Sequence, residues 1–340
     1  MTTREALAAE FLAACGWAEA TRAPLAGDAS NRRYERLSHP TFGPAVLMDA
    51  PPEKGEDVRP FVHIAEHLTS LGLSAPRILG RDEAHGFLLL EDLGDGLFAR
   101  VIPAEPALEI PLYEAATDVL LALHRAPLPQ GLKPYSPQVM TEMAALAFDW
   151  YLAQSTAPDP AARAEFTAAF LPLLEAGAGE QSVLIQRDYH AENLLWLPGR
   201  SGPARVGLLD FQDAMTGHPA YDLVSLLQDA RRDVPPALEA TMITRYIAQS
   251  GHNRDDFDAA YHLLGAQRNL RILGVFARLC TRDGKAHYVD LIPRVWGLLQ
   301  RDLDHPALAS VAPMLRAALP LPEAPVLERL KARCGTAPTP

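Results

Sequence analysis

One run, from Leu184 to Gln212, constrains this 340-residue chain more than any other feature. An apolar segment leads into Asp188, Asn193 follows five positions later, and a second apolar segment covers Leu194–Trp196. After a turn with Pro and Gly, a third apolar segment ends in Asp210. Short apolar runs bounded by turn residues are typical of buried strands. The run therefore predicts strand, loop, strand, turn and strand, with two acids and an amide at the strand ends.

These three polar residues have the chemical types that phosphoryl transfer from a nucleotide requires. One carboxylate orients the attacking hydroxyl, and two oxygen ligands hold Mg²⁺ on the phosphates. Asp188, Asn193 and Asp210 occur in the right order for these roles. A plainer interpretation makes Asp188 a turn former and Asn193 a cap. The spacing and the alternation with strand-like segments favour phosphoryl transfer.

The run resembles the catalytic loop of protein kinases and aminoglycoside phosphotransferases. Asp188 and Asn193 match the base and the metal-ligand Asn of H-R-D-x-x-x-x-N, and Asp210 begins a match to D-F-G. His190 matches the second His of the small-molecule kinase pattern H-G-D-x-H-x-x-N. The resemblance implies an α+β, bilobal, protein-kinase-like fold with a small mixed β/α N-lobe and a larger, mainly helical C-lobe. It also implies ATP and Mg²⁺ as cofactors, Asp188 as the catalytic residue, and Asn193 and Asp210 as metal ligands.

Three positions depart from the kinase patterns. Gln186 stands where the first His belongs, and Gln212 replaces the Gly of D-F-G. Met48 stands where V-A-I-K places a phosphate-binding Lys. Either another cation replaces this Lys, or the chain is a degenerate kinase that binds nucleotide without turnover. The cations nearby in sequence are Arg32, Arg33, Lys54 and Arg59.

Candidate nucleotide contacts lie in the N-terminal part of the chain. A turn of small polar residues, 24–31, precedes an alternating strand and would lay backbone N–H groups over phosphates, although a single Gly suits an ordinary hairpin equally well. An acidic connector, 91–96, follows an apolar strand and corresponds to the kinase hinge that pairs with adenine; the alternative is a turn without a ligand. The predicted ATP-binding residues are Gly27, Asp28, Ser30, Arg32, Glu91, Asp92 and Leu93.

The predicted helix after Pro60 corresponds to helix C of kinases. Its apolar stripe faces away from Glu66, because one residue advances a helix by 100°. Glu66 is therefore expected to face solvent. Strand patterns nearly vanish beyond residue 94, which predicts an N-lobe over 1–94, a helical C-lobe over 95–334 and a disordered tail over 335–340.

Polar residues after the catalytic Asp are candidate substrate contacts. Arg suits a carboxylate, and the others suit hydroxyls or an acetamido group. Those on the later helices are equally consistent with solvated helix faces. The predicted substrate-binding residues are His190, Glu192, Asp229, Arg232, Asn269 and Arg271.

Composition excludes several function classes. The net charge of −11 gives no electrostatic footprint for nucleic acid or for an anionic membrane. The three Cys are scattered and have no metal-binding spacing, which is typical of reduced thiols. The N-terminal segment lacks the apolar core of a signal peptide, and no apolar run is long enough to span a bilayer. A cytoplasmic protein is expected; the sequence does not fix its oligomeric state, and we expect a monomer.

Three segments, 25–34, 48–54 and 186–197, resemble the bacterial anomeric sugar kinases of cell-wall recycling. In that family M-D-A-P-P is usual at the second segment, so the absent Lys is implied to be a family trait. The resemblance implies ATP-dependent phosphorylation of the C1 hydroxyl of N-acetylmuramate and N-acetylglucosamine, a small-molecule amino sugar substrate. Two alternatives stay open: another small-molecule kinase, of aminoglycoside, choline or homoserine type, and a non-catalytic nucleotide-binding scaffold.

Overall fold

The computed structural model describes residues 3–25 and 31–337. The chain packs as two compact units, one formed by 1–130 with 186–214 and the other by 131–185 with 215–340. The predicted lobe boundary near residue 94 follows chain order alone, and it stays a prediction. No helix in the described part of the chain is both long enough and apolar enough to cross a membrane.

The first unit contains a five-stranded antiparallel sheet. Its strand order is β1-β2-β3-β5-β4, so the last two strands form a hairpin that joins the meander through β5. The central part of the sheet is buried, and four of the five residues of β5 are buried. The strands are β1 (Thr21–Pro24), β2 (Arg33–His39), β3 (Gly43–Asp49), β4 (Ile78–Asp82) and β5 (Phe87–Glu91).

One face of this sheet is covered by the first helix. Phe11 and Leu12 pack there against Leu37, Leu47 and Leu89, which come from three neighbouring strands. Successive side chains of a strand point to opposite faces, so the intervening residues of β2 and β3 point to the other side. The helices of this unit are α1 (Arg4–Ala14), α2 (Arg59–Ser70), α3 (Phe98–Ala104) and α4 (Glu109–His124).

The strands predicted in the run from Leu184 to Gln212, here called the catalytic run, are present but short. β6 (Val183–Ile185) pairs with β9 (Met215–Gly217) in the second unit. β7 (Leu194–Trp196) pairs with β8 (Val206–Leu208) in the first. The loop that carries Asp188 thus begins after β6 and ends at β7.

The second unit is built mainly of helices around α10, which has 28 residues. Eighteen of these residues are buried, so the helix is enclosed by its neighbours α5, α8 and α11. A π-helical turn over Ala147–Leu152 joins α5 to α6. The helices are α5 (Pro137–Leu146), α6 (Ala153–Ser155), α7 (Pro160–Gly177), α8 (Ala220–Leu227), α9 (Pro236–Ser250), α10 (Arg254–Thr281), α11 (Ile292–Leu303), α12 (Ala312–Ala318) and α13 (Ala324–Ala332).

The C-terminal segment lies against the end of α10. The N–H of Gly335 donates to the Cys280 carbonyl at 3.0 Å, and that of Ala337 donates to the Thr281 carbonyl at 2.9 Å. Residues 338–340 lie outside the described residues. The disordered tail therefore stays a prediction, and its first residues are hydrogen-bonded.

Gly274 sets how closely α10 approaches α5. A Cβ at this position would clash with the carbonyl group of Leu146, the last residue of α5. Overpacking of a well-packed core costs about 1–3 kcal/mol, so Gly274→Ala should lower the melting temperature. Gly297→Ala on α11 is the matched control, because nothing lies within 4 Å of its Cβ and Ala favours a helix. Equal melting temperatures for the two variants would show that α10 and α5 can move apart without loss of stability.

His218 is expected to make the stability of the second unit depend on pH. Burial lowers its pKa to about 4, and its Nδ1 accepts the N–H of Ala220 at 3.1 Å, which requires a neutral nitrogen. A folded-state pKa below the ordinary 6.5 means that the stabilisation is complete above pH 6.5 and is lost as pH falls towards 4. The slope for one proton is about 1.4 kcal/mol per pH unit.

Urea unfolding at pH 7, 6 and 5 tests this expectation. The stability difference between wild type and His218→Asn, which retains an acceptor for Ala220, should shrink as pH falls. A difference that does not change with pH would contradict the assignment of the slope to His218.

Candidate active site

A cavity of about 430 Å³ lies within the first unit. One wall is formed by the sheet face that carries Tyr34, Arg36 and Val46. The connector after β5 forms a second wall, and the ends of the catalytic run, including Asn193 and Asp210, form a third. A concave pocket with an apolar lining and a few convergent polar groups is the usual form of a ligand site.

Asn193 joins the parts of the catalytic run. Its side-chain NH₂ donates to the Asp188 carbonyl at 2.9 Å and lies 3.5 Å from Asp210 Oδ2. Its backbone N–H donates to the His190 carbonyl at 2.8 Å, and its carbonyl accepts the N–H of Leu209 at 3.0 Å. The residues predicted to be the base and the two metal ligands are therefore brought together in one place.

Two residues of this region have left-handed backbone angles although neither is Gly. Arg187 has φ 73°, directly before the predicted base, and Asp210 has φ 56°. Such a conformation costs roughly 1–2 kcal/mol for an L-residue and persists only where the surroundings fix it. Here the buried Tyr189 hydroxyl donates to the Ala116 carbonyl on α4 at 2.8 Å. No sequence pattern signalled these backbone conformations; the Tyr189 contact helps to fix the loop that contains Arg187.

Gln212, known from the sequence only as a departure from D-F-G, contacts the predicted metal ligand. Its Nε2 donates to Asp210 Oδ1 at 2.6 Å. The ring of Phe211, between them, packs against Phe61 of α2 with centroids 4.8 Å apart. Asp210 is thus oriented by an amide on one side and by a buried aromatic contact beside it.

The residues present fit Mg²⁺ better than a metal enclosed by protein. Mg²⁺ takes oxygen ligands and is usually bound by one or two side chains together with phosphates and water. Asp210 supplies a carboxylate. The Asn193 NH₂ donates to a carbonyl, so the Oδ1 of the same amide can act as a ligand to a cation. Throughout 3–25 and 31–337, no group of three or more His, Cys, Asp or Glu is placed to hold a metal.

The connector is fastened by ion pairs. Arg36 on β2 contacts Asp92 at 2.7 Å and Asp95 at 2.9 Å, and it holds the pKa of Asp95 below its ordinary value. The carboxylate of Glu91 accepts from Arg200 at 2.8 Å. The side chains of Asp92 and Glu91 therefore fix the connector. Sequence reasoning missed Arg36, because its partners lie more than fifty positions away.

The sequence profile of the phosphotransferase enzyme family matches residues 21–261, which include the whole catalytic run. The chain belongs to this family. The match begins at β1 and ends within the first turns of α10, and so includes both the sheet and the loop that carries Asp188.

Curated relatives of this phosphotransferase are similar over nearly their whole length. A protein of Caulobacter vibrioides named N-acetylmuramate/N-acetylglucosamine kinase is 43% identical, over 91% of this chain and 94% of the relative. A protein of Pseudomonas aeruginosa with the same name is 36% identical, over 92% and 93%.

Solved structures confirm the predicted fold. A choline/ethanolamine kinase family protein from Mesorhizobium loti has a TM-score of 0.62 at 14% identity, over 92% of this chain and 99% of that one. An aminoglycoside phosphotransferase from Streptomyces rimosus, solved with ADP and streptomycin, has a TM-score of 0.51 at 17% identity, over 80% and 99%. At these identities the likeness shows the α+β, kinase-like fold alone.

Some of the other predicted nucleotide contacts of the phosphotransferase lie among the described residues, and some do not. Gly27, Asp28 and Ser30 lie outside the described residues. The N–H of Glu91 donates to the Arg77 carbonyl at 2.8 Å, while Leu93 lines the cleft. Glu66 of α2 is 61% exposed and contacts Arg81, which confirms the prediction that it faces solvent.

The predicted substrate contacts fall in both units. In the first, Glu192 lines the cleft and His190 is buried, with its Nε2 3.4 Å from Asn193 Nδ2. In the second, Asp229 and Asn269 are buried at the end of α8 and on α10. Arg232 and Arg271 are half-buried.

Asp229 and Asn269, both buried in the second unit, each have one side-chain polar atom that is hydrogen-bonded and one that has no such bond among the described residues. The Asn269 NH₂ donates to Gln228 Oε1 at 2.8 Å and to Asp302 Oδ2 at 3.0 Å, and Asp229 Oδ1 accepts the N–H of Arg231. Asn269 Oδ1 and Asp229 Oδ2 have no hydrogen-bond partner within the part of the chain that the structure describes. A buried acceptor without a donor is costly, so both oxygens suit a ligand that donates.

Proposed function

We propose that this phosphotransferase transfers the γ-phosphoryl group of ATP to the anomeric C1 hydroxyl of N-acetylmuramate and N-acetylglucosamine, in the recycling of peptidoglycan. The observation that carries the proposal is Asn193, which ties the loop of Asp188 to Asp210 at the wall of the cleft. The acceptor is chosen from the names of the relatives, which match nearly the whole chain.

The nucleotide would bind in the cleft of the first unit. The backbone of the connector at Leu93 would pair with the adenine edge, and the phosphates would lie towards Asn193 and Asp210. These two residues would hold Mg²⁺, which supplies charge neutralisation across the phosphates when bound. Arg32 would add the cation that Met48 does not provide.

Asp188 would orient the sugar hydroxyl and accept its proton. The C1 oxygen forms a bond to the γ-phosphorus, the bond between that phosphorus and the bridging oxygen of ADP breaks, and the proton moves to the carboxylate. The anomeric hydroxyl is more acidic than an ordinary alcohol, so a carboxylate with modest basicity suffices as the base. The products are a sugar 1-phosphate and ADP.

Substrate contacts are proposed for each unit by itself. In the first unit these are His190 and Glu192, two and four positions after Asp188. In the second, Asp229 Oδ2 and Asn269 Oδ1 would accept from hydroxyl or acetamido groups, since both are buried acceptors without a donor among the described residues. The guanidinium groups of Arg232 and Arg271 suit the carboxylate of N-acetylmuramate.

³¹P NMR of the purified protein with Mg-ATP and one acceptor at a time tests the proposal. N-acetylmuramate and N-acetylglucosamine should each give a new sugar 1-phosphate signal together with ADP. A signal with an aminoglycoside, choline or homoserine, and none with either amino sugar, would replace the acceptor. Silence with every acceptor, despite measurable ATP binding, would favour a non-catalytic scaffold.

A further inference from the structure

The face of the sheet that lines the cleft has an apolar residue where kinases carry a Lys. Met48 is only 1% exposed and lies opposite Tyr34 in the β2–β3 register. Tyr34 itself lines the cleft. β3 therefore supplies no cation at this position, and the charge for the phosphates must come from another element.

Arg32 directly precedes the first residue of β2 and lies two positions before Tyr34. Continued by one residue, the alternation of β2 would place Arg32 on the side of Tyr34. The Arg32 guanidinium also interacts electrostatically with the Tyr34 side chain. The Arg32 side chain is only 13% exposed, although it is long and charged. Such burial requires a partner for the charge.

Glu56, in the segment between β3 and α2, is such a partner. Arg32 Nε donates to Glu56 Oε2 at 2.9 Å, and the Glu56 side chain is 12% exposed. The other oxygen, Oε1, accepts the backbone N–H of Asn31 at 3.0 Å, while the Asn31 side chain donates to the Lys54 carbonyl at 3.3 Å. One carboxylate thus holds the Arg32 side chain and the backbone beside it.

The neighbouring acids of the segment make different contacts. Glu53 is exposed, and Asp57 pairs with Arg59, two residues along the chain. Both of those groups are at the surface, where ion pairs contribute little. Glu56 differs because it is mostly buried and bonds an element far away in sequence.

We propose that Glu56 is a positioning residue that holds Arg32 for the nucleotide's phosphates, so that this pair replaces the Lys–Glu pair of kinases. The proposal rests on the proposed use of ATP in the cleft. A guanidinium matches phosphate oxygens with a planar fork of N–H groups. Fixing this long side chain before the ligand arrives removes an entropy cost that binding would otherwise carry.

Calorimetric titration with ATP, ADP and adenosine tests the proposal on the full chain. Glu56→Gln should weaken ATP and ADP binding by about tenfold, a difference well within calorimetric reach, and leave adenosine binding unchanged. Glu53→Gln is the matched control and should change none of the three affinities. Adenosine lacks phosphates, so a variant that merely disturbs the fold would lose all three ligands in parallel.

A double-variant comparison shows whether Glu56 acts through Arg32. In an Arg32→Gln background, Glu56→Gln should have no further effect on ATP affinity, because the group that it positions is gone. A full, additive loss would overturn the proposal, as would unchanged ATP affinity in the single variant. If Glu56→Gln fails to fold, Arg32→Gln alone must still lose ATP and ADP selectively. None of these titrations needs a sugar. The proposed role of Glu56 can therefore be shown wrong without any consequence for the proposed acceptor, and the reverse also holds.

Discussion

Asp188→Asn is expected to lower kcat by about 10²–10⁴-fold, the range typical of removing a general base. Asn has the same shape as Asp but accepts no proton, and it orients a hydroxyl less strongly. The loop should keep its form, because Asn193 bonds the backbone carbonyl of residue 188 and not its side chain. Steady-state rates with N-acetylglucosamine and ATP measure the effect.

Two controls make the result specific. ATP affinity and melting temperature should stay near the wild-type values, because the loss is expected in the chemical step alone. Asp213→Asn removes an exposed carboxylate that follows the same run and should leave kcat unchanged. Near-wild-type turnover of Asp188→Asn would remove this residue from the catalytic role.

Asp210→Asn is expected to lower kcat/KM by at least about 10²-fold, comparable to the loss of a preorganised electrostatic contact. The substitution preserves size and an acceptor for Gln212 but removes the negative charge that a cation requires. The variant should therefore also need a higher Mg²⁺ concentration for half-maximal rate.

Metal binding separates this effect from a general loss of activity. Mn²⁺ can stand in for Mg²⁺, and electron paramagnetic resonance in the presence of ADP should show weaker Mn²⁺ binding by Asp210→Asn than by wild type. Asp213→Asn again serves as the control. An unchanged affinity for Mn²⁺ would show that Asp210 is not a ligand.

The phosphotransferase family could be predicted because the pattern that indicates it is local in sequence. Asp188 and Asn193 are five positions apart on one loop, and Asp210 follows one short hairpin later. A catalytic loop needs these residue types at a spacing that the backbone can close, so chain order alone indicates it. The interpretation of Glu66 succeeded for a similar reason, since helical geometry alone fixes which face it occupies.

The contacts between residues that are distant in sequence could not be predicted. Glu56 meets Arg32 across 24 positions, and Arg36 meets Asp92 across 56, so both pairs depend on strand pairing and not on local pattern. Asp229 and Asn269 resemble surface residues in sequence, yet they are buried because α8 and α10 are enclosed by other helices. In the sequence Gln212 is only a replacement for the Gly of D-F-G, and its contact with Asp210 is visible only in the structure.

The chain passes between its two compact units three times, after residues 130, 185 and 214. Every described residue that lines the cleft belongs to one unit, but the gene encodes that unit in two pieces. A fragment ending at residue 130 has the sheet without the catalytic run, and one ending at 214 retains α5 without α10 to cover it. Recombination with a related gene at a single crossover therefore cannot exchange one unit as a cassette, and grafting a new helical unit onto this cleft requires three coordinated junctions.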